Sequence, residues 1–139
     1  MHLSRATDIA LRILMLAAAQ RRQLTIDELA DALSVPRNHV AKIVQRLQRP
    51  GWLTTTRGRG GGISLPDATL RTTVGRIVRD FEGTAEVVDC ETPPCPLRAA
   101  CRLRGALRTA QEAFFASLDD VVLQDLIAQP TGTVLLTLT

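Results

Sequence analysis

Apolar positions along this chain recur mostly at helical spacing, interrupted midway by one short β-prone stretch. Arg5 to about Ala19 is apolar around most of its circumference, which predicts a largely buried helix with Ser4 as its N-cap. After the polar turn Arg21-Arg22-Gln23, the run Thr25-Ile26-Asp27-Glu28 has the form of a capping box, hydroxyl and carboxylate each satisfying a backbone amide. A short helix through Leu29, Ala30 and Leu33 follows and breaks at Ser34-Val35-Pro36. Pro36 suits the first turn of a third helix, where the N–H it lacks is not needed. That helix, Arg37 to about Arg49, gathers Val40, Ile43, Val44 and Leu47 on one stripe. Arg37, Asn38, Lys42, Gln45, Arg46 and Arg49 are left to face outward, and Pro50-Gly51 ends the helix. Two helices joined by a tight turn, the second with a basic and amide-rich face, predict a helix-turn-helix.

Trp52-Leu53-Thr54-Thr55-Thr56 reads as a strand and Ile63-Ser64-Leu65 as a second, with Arg57 and Arg59 in the glycine-rich turn between them. A helix-turn-helix followed by a basic-tipped hairpin is a winged helix. Thr72 or Thr73 caps a further helix through Val74, Ile77, Val78 and Phe81, which Gly83 is placed to end. Then comes a segment rich in Cys and Pro, Val87 to Cys101, and a long helix expected from roughly Leu97 to Leu118. Leu103, Leu107, Ala110, Phe114 and Leu118 form its apolar stripe, which must bury itself against the chain's own core or the same helix of a second subunit. Asp119 or Asp120 is expected to cap a last short helix to about Ala128; the tail from Gly132 to Thr139 is apolar and β-prone, with no role assigned.

The expected fold is therefore mainly α with a small β-hairpin wing: a winged helix-turn-helix followed by a long dimerisation helix. We divide the chain into a DNA-binding region at 1–66, a connecting helix at 67–86 and a cysteine loop at 87–101. A dimerisation helix with a short C-terminal helix follows at 97–129, and the tail is 130–139.

Charge sharpens this picture. Residues 1–65 carry ten Lys/Arg against four Asp/Glu, and residues 66–139 carry seven against ten. A basic half joined to an acidic half points to a polyanion for the first. The chain has three Phe, one Trp and no Tyr, too few stacking platforms for single-stranded nucleic acid, so a duplex is the expected partner. Asn38 and Gln45 are suited to adenine edges, the cations to phosphates, and Arg57 and Arg59 to a narrow minor groove. The wing lacks the Gly-Lys-Ser/Thr ending of a phosphate-cradling P-loop and leads into a strand, which argues against nucleotide binding. No apolar run approaches the roughly 20 residues of a membrane span, and Met1 to Arg5 lacks signal-peptide form, so a cytoplasmic protein without membrane contact is expected. No paired nucleophile and base suggests an enzyme.

Cys90, Cys95 and Cys101 are the second constellation, an odd count that suits metal or redox use better than disulfides. Structural zinc prefers four ligands and CxxC pairs, which are missing, and His39 sits on the reading helix far from this loop. Iron–sulfur clusters accept thiolates from irregular loops and tolerate a non-cysteine ligand. Arg98, Arg102 and Arg104 are placed to offset the charge of a thiolate-bound group. Three reduced, unligated cysteines stand as the alternative.

The stretches LSRATDIALRILMLAA, RGRGGGISL, EGTAEVVDCETPPCPLRAACRLRGAL and QEAFFASLDD resemble the IscR-like winged-helix family of iron–sulfur regulators, and within it the nitric-oxide-sensing repressors. The resemblance spans nearly the whole chain. It implies a homodimer joined by the long helices and a 4Fe–4S cluster on Cys90, Cys95 and Cys101, with a 2Fe–2S or metal-free form as alternatives. It also implies a fourth ligand at Asp8 of the partner subunit, although Asp8 by itself is only an acid in a first helical turn. Nitrosylation of the cluster would then release the operator DNA of nitric-oxide detoxification genes. A regulator of cluster supply and a thiol-sensing repressor are the rival readings; the family member that uses a His in the cysteine segment differs from this sequence, which has none there.

Overall fold

The computed structural model describes residues 1–138. Helix α1 (Arg5–Gln20) forms the central beam; Ile13, Leu14, Leu16 and Ala10 are wholly inaccessible to solvent. Ser4 caps it as expected, its hydroxyl accepting the Thr7 N–H at 3.2 Å. Helices α2 (Ile26–Leu33) and α3 (Arg37–Gln48) pack on α1 and on each other. The capping box is formed: Glu28 N–H donates to Thr25 Oγ1 at 3.1 Å, and Thr25 N–H donates to Glu28 Oε2 at 2.8 Å. Ser34 closes α2 in the left-handed region, and Val40, Ile43, Val44 and Leu47 are buried as the stripe requires.

Strands β1 (Thr54–Thr56) and β2 (Gly62–Ser64) pair antiparallel, Thr55 opposite Ile63. The hairpin is shorter than the sequence suggests, because Trp52 and Leu53 turn inward and join the core. Its tip depends on glycine: Gly58 and Gly60 take positive φ, and a Cβ on Gly61 would fall 2.1 Å from the Thr56 carbonyl oxygen. Leu24 exchanges two backbone hydrogen bonds with Ile63, stitching the wing to the turn after α1.

A 3₁₀ turn (Asp67–Arg71) leads to α4 (Val74–Glu82), capped by Thr73 and ended at Gly83 with φ 77°. The long helix α5 spans Arg102–Asp119, starting later than expected because residues 97–100 form turns and Cys101 is its N-cap. It packs on α4 chiefly through Phe115, whereas Leu103 is 65% exposed. Neither Asp119 nor Asp120 caps the next element. Asp119 is the last residue of α5, and α6 (Leu123–Leu126) is started by Val122, whose N–H donates to Asp125. The β-prone tail is helical instead: α7 (Thr131–Leu136) buries Leu135 against α1, where Gln20 Nε2 donates to the Leu135 carbonyl. Core packing has overridden local propensity there.

Candidate functional site

The reading surface is the outer side of α3 with the wing. Asn38, Lys42, Gln45 and Arg49 are exposed on the helix, and Arg57 and Arg59 are exposed at the wing tip. Arg37 is also exposed but ion-paired, its Nε 2.7 Å from Asp27 on α2. Arg46 departs from the expected outward set. Its guanidinium lies 3.9 Å from the centre of the Phe81 ring and donates to the Asp80 carbonyl at 3.3 Å, so it ties α3 to α4.

The cysteine loop runs from Gly83 to Cys101. All three thiols are free and half-buried, and Cys95 N–H donates to the Cys90 carbonyl at 3.0 Å. Cys101 is the N-cap of α5, its sulfur accepting the Arg104 N–H at 3.4 Å. Asp89 Oδ1 accepts the amides of Glu91 and Thr92, which holds its carboxyl below the usual range and rigidifies the turn after Cys90.

The sequence reading missed the loop's anchor, Glu86. Arg104 donates to it at 2.6 and 3.2 Å, and Arg108 donates to it as well. These hydrogen bonds, Arg104 first, lower the Glu86 carboxyl to about 2. Arg104 also donates to the Arg98 carbonyl, and Gln111 to the Ala85 carbonyl at 2.7 Å. The loop is thus clamped along the first turns of α5. Two arginines four residues apart behind a lone glutamate were the available signal.

A second carboxylate, Glu82 at the end of α4, accepts the Thr7 hydroxyl at 2.5 Å and the Ser4 N–H at 2.6 Å. The buried Thr7 contact is the main reason its carboxyl is held low. Asp8 pairs with Arg12 at 2.8 Å on the same helix, and within one chain it does not join the cysteines.

Among the described residues no three Cys, His, Asp or Glu side chains converge as a single metal ion requires. Three soft thiol donors in one clamped loop fit a multinuclear iron–sulfur group, whose irons bind separate sulfurs, better than a mononuclear site. Cys90, Cys95 and Cys101 are the residues that would hold it.

The family model described as Rrf2, an iron-dependent transcriptional regulator, matches residues 3–129. The chain belongs to the Rrf2 family. It is accordingly a transcriptional regulator and not an enzyme. Over its full length this Rrf2 protein is 54% identical to the HTH-type transcriptional repressor NsrR of Streptomyces coelicolor, covering 97% of that protein. Its fold is similar to that of CymR, the global cysteine regulator of B. subtilis, with TM-score 0.72 at 22% identity over 91% of this chain and 95% of that one. T. potens IscR is similar as well, with TM-score 0.68 at 18% identity over 91% and 86% of the two chains. The winged helix and mainly α architecture expected from the sequence stand. No described helix is long and apolar enough to cross a membrane.

Proposed function

We propose that this Rrf2 regulator is a cytoplasmic, homodimeric repressor that senses nitric oxide through a 4Fe–4S cluster and binds operator DNA as long as the cluster is intact. The ligands are Cys90, Cys95 and Cys101, with Asp8 of the partner subunit as the fourth. Asn38 and Gln45 read base edges, Arg37, Lys42 and Arg49 meet phosphates, and Arg57 and Arg59 enter a minor groove. Arg46, which we first grouped with these, acts through α4 instead.

The observation that carries this reading is Cys101. Its sulfur holds the first turn of α5, the helix whose stripe of Leu103, Leu107, Ala110, Phe114 and Leu118 is exposed or half-buried in the single chain. A ligand of the sensor and the start of the dimer helix are therefore one residue. The 54% identity to a repressor over the whole chain supports the same reading. When bound, the cluster supplies thiolate-ligated iron, the reactive target for nitric oxide. Glu86, Arg104 and Arg108 hold the cysteine loop against α5, and Asp8 links the loop to the reading head of the other subunit. Losing that link lets the two heads leave the spacing of about 34–36 Å between successive major grooves. A coupling of about 1–3 kcal/mol is enough for a clear switch.

The test is an anaerobic titration of the iron-loaded dimer with nitric oxide, following cluster mass by native mass spectrometry and affinity for duplex selected by the protein. Affinity is expected to fall in step with nitric oxide uptake. Equal affinity with and without iron, or with and without nitric oxide, overturns the reading.

A further inference from the structure

We propose that a hollow between the first turn of α1 and the flank of α3 grips a backbone phosphate of duplex DNA through Arg5, His39 and Lys42. This rests on the DNA-binding reading above and adds to it two residues that read no base. The hollow has a volume of about 380 Å³, floored by Ala6, Ile9 and Ile43 and rimmed by the three named side chains together with Arg46. No carboxylate lines it.

Helical geometry aims the hollow at the phosphate ridge. At about 100° per residue, Asn38, Gln45 and Arg49 project opposite the buried stripe of α3, while His39 and Arg46 project from one flank with Lys42 between. A helix about 10–12 Å across fills a major groove about 12 Å wide, so when its outer stripe meets the base edges its flanks meet the two sugar–phosphate walls. The flank with His39 is the one that α1 extends by placing Arg5 beside it.

Charge and availability agree. Arg46 is occupied by Phe81 and Asp80, but among the described residues Arg5, His39 and Lys42 make no side-chain hydrogen bond or ion pair, and all three are exposed. Neighbouring charges are already satisfied: Asp8 is paired with Arg12, and Glu82 sits on Ser4 and Thr7. The Glu82 carboxylate occupies the end of α1, so attraction for an anion comes from the side chains and not from the helix terminus.

The test compares wild type, Arg5→Gln and Gln45→Ala on two duplexes: one selected from a random pool by the wild-type protein, and a scrambled one of equal length. Arg5→Gln is expected to weaken both by the same factor and to flatten the slope of log K against log salt by about 0.9. Gln45→Ala should reduce only the preference for the selected duplex. Neutral methylphosphonates placed singly along the selected duplex should reveal one position that weakens wild type and not Arg5→Gln. An unchanged slope in Arg5→Gln, or no such position, overturns the proposal. Wild type that fails to bind either duplex overturns instead the DNA reading on which it rests.

Discussion

Gly75 lies directly against Asp119: a Cβ built on Gly75 would stand 2.0 Å from the Asp119 Oδ1 and 3.0 Å from its backbone nitrogen. That carboxylate is also forked by Arg79 at 2.5 and 2.8 Å, and the same guanidinium covers the Phe115 ring at 4.8 Å. The absent side chain is what lets α4 lie this close to the end of α5. Gly75→Ala is expected to destabilise the protein by about 1–3 kcal/mol, the usual result of overfilling a packed contact. Urea unfolding of the two proteins checks this, and an unchanged midpoint would show that the interface yields freely.

Acid should loosen the cysteine loop in a defined window. The Arg104 and Arg108 hydrogen bonds lower Glu86 from 4.5 to about 2, so the clamp's stabilisation is complete above 4.5 and fades as pH falls toward about 2. The difference in melting temperature between metal-free wild type and Glu86→Gln is expected to shrink across that interval. A difference that stays constant would mean Glu86 holds nothing in place.

Cys95→Ala should abolish the visible absorbance of anaerobically reconstituted protein while circular dichroism reports an intact fold. Retention of a full cluster removes Cys95 from the ligand set. Asp8→Ala should leave a cluster that is lost faster on exposure to a chelator, and an unaltered loss rate assigns the fourth ligand elsewhere.

The exposed stripe on α5 gives a prediction about assembly. Leu103 is 65% exposed in the single chain, so burial in a dimer is the expected reason for an apolar residue there. Leu103→Glu should shift sedimentation toward the monomer with helix content unchanged. A dimer of undiminished stability would place the interface on another face.

The first four helices and the wing were legible because their signals are local. Ser4, Thr25 with Glu28, Thr73 and Gly83 each act on amides or carbonyls within one turn, so a few adjacent letters are enough. The stripe on α5 was legible as a stripe, but spacing alone does not say which neighbour it meets. Phe115, one residue off the stripe, makes the core contact, while Leu103 stays outside. Glu82 with Thr7, Glu86 with Arg104, and Arg79 with Asp119 join residues 75, 18 and 40 positions apart, and no local pattern encodes such pairs. Arg46 was misplaced for the same reason, since its outward angle on α3 says nothing of Phe81 arriving from α4. The tail reads as β-prone, yet Leu135 is worth more to the core as part of a helical turn on α1.

Cys101 serves two masters with one sulfur atom. Whatever draws that atom away, whether a soft metal, an alkylating reagent or an oxidant, leaves the Arg104 amide without its acceptor and removes the stop that fixes where α5 begins. Each residue gained or lost at that end changes the rod by about 1.5 Å. Chemistry on a thiol is thereby converted into a length, which is a quantity a dimer bridging two grooves can measure.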